Sequence, residues 1–144
     1  MTPYYSGKIR NLEVVDVYVN SIIKELKLSR MKRDLDIQFV SSIDSGNTWG
    51  ICHGDKDSVY MEIARKDIQR NLSFLEMMKV IAHEMVHAKQ YFRGELVTKD
   101  CKQYWKGDLA ESYTYYTAPW EQEARELEQT LFCNLFPFHM PFKN

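Results

Sequence analysis

The sequence lacks any run of about eighteen apolar residues, the length that a membrane-spanning helix needs. Its first residues, Met1-Thr2-Pro3-Tyr4-Tyr5, also lack the charged and then apolar segments of a secretory signal peptide. Both absences argue against a membrane protein and against an exported one. We therefore expect a soluble, intracellular protein.

Cysteine is scarce, and the three residues Cys52, Cys101 and Cys133 are odd in number and form no C-x-x-C motif. A disulfide framework and a zinc ribbon are therefore not expected, and the side chains are predicted to be free thiols.

Neither sign of charge is in excess, since the formal net charge is −1, which predicts no general affinity for polyanions. One basic segment, Lys24 to Arg33, is a candidate contact for nucleic acid or a charged partner, although a solvated helix end is the commoner role of such a segment.

What the sequence does contain is typical of a globular protein. Hydrophobic residues make up 44% of the 144 residues, aromatic residues 13% and charged residues 27%. This length suits a single domain with a sizeable core, and no internal repeat or low-complexity segment is visible. We predict one domain over residues 1–144, with its core at about 9–136.

The first half of the chain predicts one helix and three strands. Apolar residues recur every three or four positions over about residues 11–28, which indicates a helix with one buried face. Alternating apolar residues then predict strands from Leu35 to Phe39, from Thr48 to Cys52 and from Ser58 to Ala64. Because short loops join these segments, we expect a small, mostly antiparallel sheet, with the strand from Ser58 to Ala64 at an exposed edge.

The second half predicts two further helices. Ser73 followed by Glu76 is a capping box that predicts a buried helix from there to about Phe92, before Arg93-Gly94 ends it. No clear period survives from Glu95 to Ala118, which predicts an irregular excursion. Pro119 is typical of a first helical turn, and the apolar spacing from Trp120 to Leu135 predicts a final helix. The chain therefore belongs to the α+β class.

The segment His83-Glu84-Met85-Val86-His87 spells the motif H-E-x-x-H within the central predicted helix. Residues four apart lie on one helix face about 6 Å apart along the axis, so His83 and His87 can bind one metal ion. Zn²⁺ accepts neutral imidazole nitrogens readily, and Glu84 lies beside the metal, where a general base for water belongs. The two histidines would also be costly to bury without such a partner.

A catalytic zinc site needs a third protein ligand. The remaining histidines, His53 and His139, do not stand on a helix that obviously packs against the central one. Glu121 does, in the first turn of the final helix, where the helix dipole favours a carboxylate. Glu123 is the alternative, although it points about 200° away from Glu121 around the helix axis.

Three segments carry a resemblance to a known group of proteins. They are His83 to Leu96, Trp105-Lys106-Gly107, and Pro119 to Ala124. This set resembles small SprT-like or minigluzincin-type metallopeptidases, which are common in bacteriophages and bacteria, and the similarity spans about residues 73–130. The resemblance implies a zincin-like (gluzincin) fold with a backing helix, a small three-stranded, mostly antiparallel sheet, the H-E-x-x-H helix and a C-terminal ligand helix. Since no signal peptide is visible, we expect a cytoplasmic location, which is the host cytoplasm if the protein is viral.

The resemblance extends to the ligands. Gluzincins take their third ligand from a glutamate within an E-x-x-A pattern, and Glu121-Gln122-Glu123-Ala124 fits that pattern with Glu121 as the ligand. The residue four positions later is often Asp or Asn in the family, whereas this chain has Arg125, so the groups that orient the histidines are not predicted. Cellular SprT-type proteins frequently add a C-terminal zinc ribbon that recognises DNA. This chain has no cysteines for one, so no DNA dependence is carried over.

Together these features predict a metallopeptidase that holds one zinc ion per chain and hydrolyses peptide bonds in a protein or peptide substrate, with Glu84 as general base. Tyr113, Tyr115 and Tyr116 are candidate donors to the developing oxyanion, or else packing residues.

The alternative to a metallopeptidase is a zinc-stabilised adaptor that binds a partner and cleaves nothing. A nucleic-acid-associated peptidase that uses Lys24 to Arg33 is a third, weaker hypothesis. The sequence gives no prediction of oligomeric state.

Overall fold

The computed structural model describes all residues from Met1 to Asn144 and shows an α+β fold with three helices and two sheets. The helices are α1 (Leu12–Glu25), α2 (Phe74–Phe92) and α3 (Pro119–Leu135). The strands are β1 (Pro3–Gly7), β2 (Asp34–Val40), β3 (Gly50–Gly54), β4 (Ser58–Ala64), β5 (Leu96–Lys99), β6 (Lys102–Trp105) and β7 (Asp108–Leu109). None of the helices combines the length and apolar character that crossing a bilayer requires.

The first sheet differs from the predicted three-stranded, mostly antiparallel one. It has four strands in the order β1-β2-β4-β3, and only the β3–β4 pair is antiparallel. The N-terminal strand was not predicted. Strands β2 and β4 pair in parallel with their buried residues in register, Leu35 opposite Val59 and Phe39 opposite Ile63, so that both apolar rows face the helices.

This order moves the predicted edge strand into the interior of the sheet. Strand β4 pairs with β2 on one side and with β3 on the other, so Ser58–Ala64 is not an edge. The edges are β1 and β3. Strand β3 suits an edge because none of its residues is fully buried, whereas four residues of β4 are. Its outer side offers backbone groups that no strand of the chain pairs.

The predicted irregular stretch after α2 contains a second sheet, of order β5-β6-β7. Its turns place Asp100, Cys101, Lys106 and Gly107 at positive φ, as tight hairpins require. Among the strand residues only Leu96 is fully buried. These strands therefore leave no apolar alternation in the sequence, which is why the prediction was wrong here.

The helix predictions were more accurate. Helix α1 ends at Glu25, three residues before the predicted end, and Lys27 follows at positive φ. Helix α2 begins after the capping box of Ser73 and Glu76 and ends before Gly94, whose φ of 69° favours glycine. Helix α3 begins at Pro119, as predicted.

The core lies between the four-stranded sheet and the helices. Thirty-one buried hydrophobic residues form a single cluster that includes side chains of all three helices. The buried Tyr18 hydroxyl on α1 donates to the Met78 carbonyl on α2 at 2.9 Å, so a polar contact also links these two helices. Helix α2 is thereby enclosed by α1, α3 and the sheet, and its second half carries the H-E-x-x-H residues.

Candidate metal centre

His83 and His87 face the same side of α2, one helical turn apart. Their Nε2 atoms are 3.3 Å from each other, and their rings meet edge to face with centroids 4.9 Å apart. Both side chains are largely buried, with exposed fractions of 14% and 8%. The two imidazoles therefore direct their Nε2 atoms at one shared point.

Glu121 reaches that point from α3. One carboxylate oxygen, Oε1, lies 2.6 Å from His87 Nε2, and the other, Oε2, lies 3.4 Å from His83 Nε2. Glu121 Oε2 is buried and has no hydrogen-bond partner. One ligand atom from each of the three residues lies within 4.8 Å of the others. The structure thus brings Glu121 to the two histidines, as the sequence predicted.

Two of these three distances fit a zinc ion. Ligands that lie about 2.0–2.1 Å from a tetrahedral zinc are about 3.3 Å from each other. The separations of 3.3 Å between the two Nε2 atoms and 3.4 Å between His83 Nε2 and Glu121 Oε2 match this value, whereas the 2.6 Å between His87 Nε2 and Glu121 Oε1 is a hydrogen-bond distance that a metal ion would lengthen. Two nitrogens and one carboxylate oxygen are also the donor set of a known class of catalytic zinc sites.

Gln90 fixes the tautomer of His87. Its Nε2 donates to the Trp120 carbonyl at 2.9 Å and to Glu123 Oε1 at 3.0 Å, so its Oε1 is the atom that faces His87 Nδ1 at 2.8 Å. Because that oxygen only accepts, Nδ1 carries the proton and the Nε2 lone pair is free for a metal. Gln90 is completely buried, which holds this arrangement in place.

Glu128 faces Nδ1 of His83, as Gln90 faces Nδ1 of His87. Its Oε2 lies 3.5 Å from His83 Nδ1. A carboxylate here favours a proton on Nδ1 and leaves Nε2 free, as outer groups do in many zinc sites. The sequence analysis identified neither Gln90 nor Glu128. Their spacings were the available signal, since Gln90 follows His87 by three residues and Glu128 follows Glu121 by seven, so each pair shares a helix face.

Glu123, the alternative third ligand, lies elsewhere. Its Oε1 contacts Lys89 Nζ at 2.9 Å and Gln90 Nε2 at 3.0 Å. Lys89 also pairs with Glu95 at 2.8 Å. Glu123 therefore supports the centre through Gln90 and does not join the metal-binding cluster.

Glu84 is a buried carboxylate beside the cluster, with 6% of its surface exposed. Burial is the largest influence on it and raises the pKa of its carboxyl group, against the opposing effect of His83 and His87. Strand β3 passes close by: a Cβ on Gly50 would lie 3.1 Å from Glu84 Oε1 and 2.5 Å from the Val80 side chain. Glycine at this position lets the edge strand approach the carboxylate.

The ligand residues attract positive charge strongly. Burial alone would lower the pKa of His83, but Glu121 and Glu128 outweigh this effect and raise it to about 10. Burial alone would raise the pKa of Glu121, but the two histidines lower it to about 2. The cluster is therefore an anionic site that a bound proton or metal ion neutralises.

The cluster lies in a cleft of about 800 Å³ between α2, α3 and β3. Of the three candidate tyrosines only Tyr115 lines it, with the Arg125 guanidinium 5.6 Å from its ring. Tyr113 packs edge to face on Trp120 at 6.0 Å, and Tyr116 is 78% exposed. His53 also lines the cleft but is not part of the three-residue cluster.

The contacts of Gln90 make a testable prediction. In Gln90→Leu, His87 loses the acceptor that fixes its tautomer, so we expect zinc affinity to fall about 10–100-fold. Competition with a chromophoric chelator measures this. The matched control is Gln122→Leu, which changes an exposed residue on α3 and should leave the affinity unchanged. Equal affinities for wild type and Gln90→Leu would show that Gln90 does not position His87.

Comparisons with protein-family models, with curated proteins and with solved structures give no match to this chain.

Proposed function

We propose that this protein is a zinc-dependent peptide hydrolase with a zincin-like fold of the gluzincin type. The observation that supports this most is the convergence of His83, His87 and Glu121 from two helices, with one ligand atom from each residue within 4.8 Å of the others. A single ion per chain would be held by these three residues. The H-E-x-x-H pattern and its resemblance to SprT-like and minigluzincin-type peptidases point to the same chemistry.

A bound zinc ion supplies Lewis acidity, which activates a water molecule and polarises the peptide carbonyl. Glu84 is the general base in this proposal. Its carboxyl group lies next to the ligands, and the rise in its pKa makes it a stronger base for a proton of water than an exposed glutamate. After attack, Glu84 delivers that proton to the leaving amine.

Tyr115 is the proposed donor to the developing oxyanion. Partial burial, followed by the negative charge of Glu121, raises the pKa of its phenol, although 61% of the residue is exposed. It lines the same cleft as the three ligands, whereas Tyr113 and Tyr116 do not. Arg125 packs against the Tyr115 ring and donates to the Tyr116 carbonyl at 2.8 Å, which holds this segment over α3.

The open side of β3 is the proposed binding surface for substrate. The strand from Ser58 to Ala64, which was predicted for this role, lies inside the sheet and has no open side. Gly50, Ile51 and Cys52 line the cleft, and the unpaired edge of their strand can align an extended peptide by main-chain hydrogen bonds. Such pairing requires no particular sequence. An unfolded protein segment is therefore the proposed substrate class.

Metal dependence tests the proposal. Zinc-loaded protein is expected to cleave a denatured protein substrate, to lose this activity after treatment with 1,10-phenanthroline, and to regain it with added Zn²⁺ but not with Mg²⁺. Magnesium prefers an octahedral set of oxygen ligands and suits this donor set poorly. Cleavage that persists in the fully chelated protein would reject a zinc hydrolase.

A further inference from the structure

A second cavity, of about 520 Å³, lies apart from the candidate metal centre. It opens where the parallel strands β1, β2 and β4 reach their carboxyl ends, and the first turns of α2 close it on one side. Its lining consists of Lys8, Ile9, Arg10, Ser41, Arg65, Lys66, Asn71, Leu72, Phe74 and Met77. In open parallel sheets this end of the strands is the usual place for a ligand.

The charged residues that line this cavity are all positive. Lys8, Arg10, Arg65 and Lys66 line it, no acidic residue does, and none of the four forms an ion pair with a carboxylate. The chain as a whole has a net charge of −1, so this concentration does not follow from composition. Four cations around one concave surface repel each other, and a bound anion would relieve that repulsion.

The nearest acidic residues in the sequence are engaged elsewhere. Asp67 accepts from the backbone N–H groups of Gln69 and Arg70 and from the Trp49 indole. Glu76 forms a two-point ion pair with Arg70 and accepts a hydrogen bond from the backbone N–H of Ser73. Neither carboxylate therefore neutralises the cavity.

Arg65 is held in place by the backbone. Its Nη1 donates to the Lys8 carbonyl at 3.1 Å and to the Phe39 carbonyl at 3.0 Å, which ties the guanidinium to the ends of β1 and β2. A guanidinium positioned in this way presents its remaining N–H groups without further loss of side-chain entropy. Ser41 and Asn71 add neutral polar groups to the wall, and Phe74 and Met77 form an apolar floor.

We propose that this cavity binds the phosphate of a small organic phosphate, such as a nucleoside monophosphate. Arginine and lysine together are the usual ligands of phosphate, and the volume falls in the range of small-molecule sites. The apolar floor suits the organic part of the ligand. The site does not depend on the proposed hydrolase function, because it shares no residue with the metal centre.

The shape favours a small molecule over a nucleic acid. A polymer backbone needs a continuous row of cations. Here the cavity's Lys8 and Arg10 precede α1, whereas the other basic segment, Lys24 to Arg33, begins at its far end. The 14 residues of α1 separate the two basic groups by about 21 Å along the helix axis.

Calorimetric titration at low salt with adenosine monophosphate, inorganic phosphate and a single-stranded oligonucleotide tests the proposal. We expect saturable binding of the nucleotide, tighter than that of inorganic phosphate. Lys8→Ala/Arg10→Ala should weaken nucleotide binding at least about tenfold, since each removed cation costs a charged hydrogen bond. The matched control, Lys24→Ala/Arg30→Ala, removes the same charge outside the cavity and should bind like wild type. His83→Ala should also retain binding, which separates this site from the metal centre.

Four results would overturn the proposal. One is no nucleotide binding by wild type, and another is equal weakening in the two double variants. The third is tight binding of the oligonucleotide without binding of the mononucleotide, which would assign the cations to a nucleic-acid surface. The fourth is equal affinity for the nucleotide and for inorganic phosphate, which would show that the cavity does not recognise the organic part of the ligand. Circular dichroism confirms that each variant is folded before titration.

Discussion

Replacement of Glu84 by glutamine is expected to lower peptide hydrolysis about 10²–10⁴-fold while zinc stays bound. The amide keeps the size of the side chain but cannot accept a proton from water. Glu84 is not among the three residues whose donor atoms cluster, so the ligand set is intact in this variant. The measurements are the cleavage rate of a denatured protein substrate and the zinc content of the same sample.

Glu126→Gln is the matched control, because Glu126 is exposed on α3 and the same chemical change there should affect neither quantity. Full hydrolytic activity in Glu84→Gln would remove the proposed base from the mechanism. Wild-type protein without hydrolytic activity, together with unchanged biological activity in Glu84→Gln, would instead support the zinc-stabilised adaptor.

Replacement of Glu121 by alanine is expected to weaken zinc binding by more than the roughly 10–100-fold loss that is typical of an outer-shell change. The variant removes one of three protein ligands and leaves His83 and His87 with a water-filled gap in place of the carboxylate. Zinc retained through dialysis against a weak chelator measures the loss. Hydrolysis should disappear with the metal.

Glu123→Ala is the comparison for this experiment. Glu123 contacts Lys89 and Gln90 and does not reach the histidines, so its removal should lower zinc affinity by no more than an outer-shell change does. The reverse pattern, an empty site in Glu123→Ala and a full one in Glu121→Ala, would show that the third ligand is assigned wrongly.

The helices and the two histidines of the cluster could be predicted because local rules determine them. A capping box sets the start of α2, a four-residue spacing places His83 and His87 on one face, and Pro119 marks the start of α3. Each of these signals spans only a few residues. Glu121 needed a further inference, that the first turn of α3 packs against α2, and the resemblance to gluzincins favoured it over Glu123.

The sheet could not be predicted in the same way, because alternation along a strand does not encode its neighbours. The segments from Leu35 to Phe39 and from Ser58 to Ala64 were both identified as strands. Their alternation does not show that they pair in parallel, or that β4 lies between β2 and β3. The β5–β6 hairpin was missed because Asp100 and Cys101 take positive φ without the glycine or asparagine that usually signals it.

The groups around the ligands were also missed. Gln90 contacts His87 within α2, but its second contact, the Trp120 carbonyl, lies on α3. Glu128 approaches His83 from α3, two turns beyond Glu121. Their roles depend on how closely the two helices pack, and residue spacing within one helix does not determine that distance.

Anomalous diffraction at the zinc absorption edge, from crystals of the zinc-loaded protein, tests the central claim most directly. One peak per chain is predicted, about 2.0–2.2 Å from His83 Nε2, His87 Nε2 and a Glu121 carboxylate oxygen. A zinc peak at other residues, or no peak between α2 and α3 in crystals saturated with zinc, would contradict it.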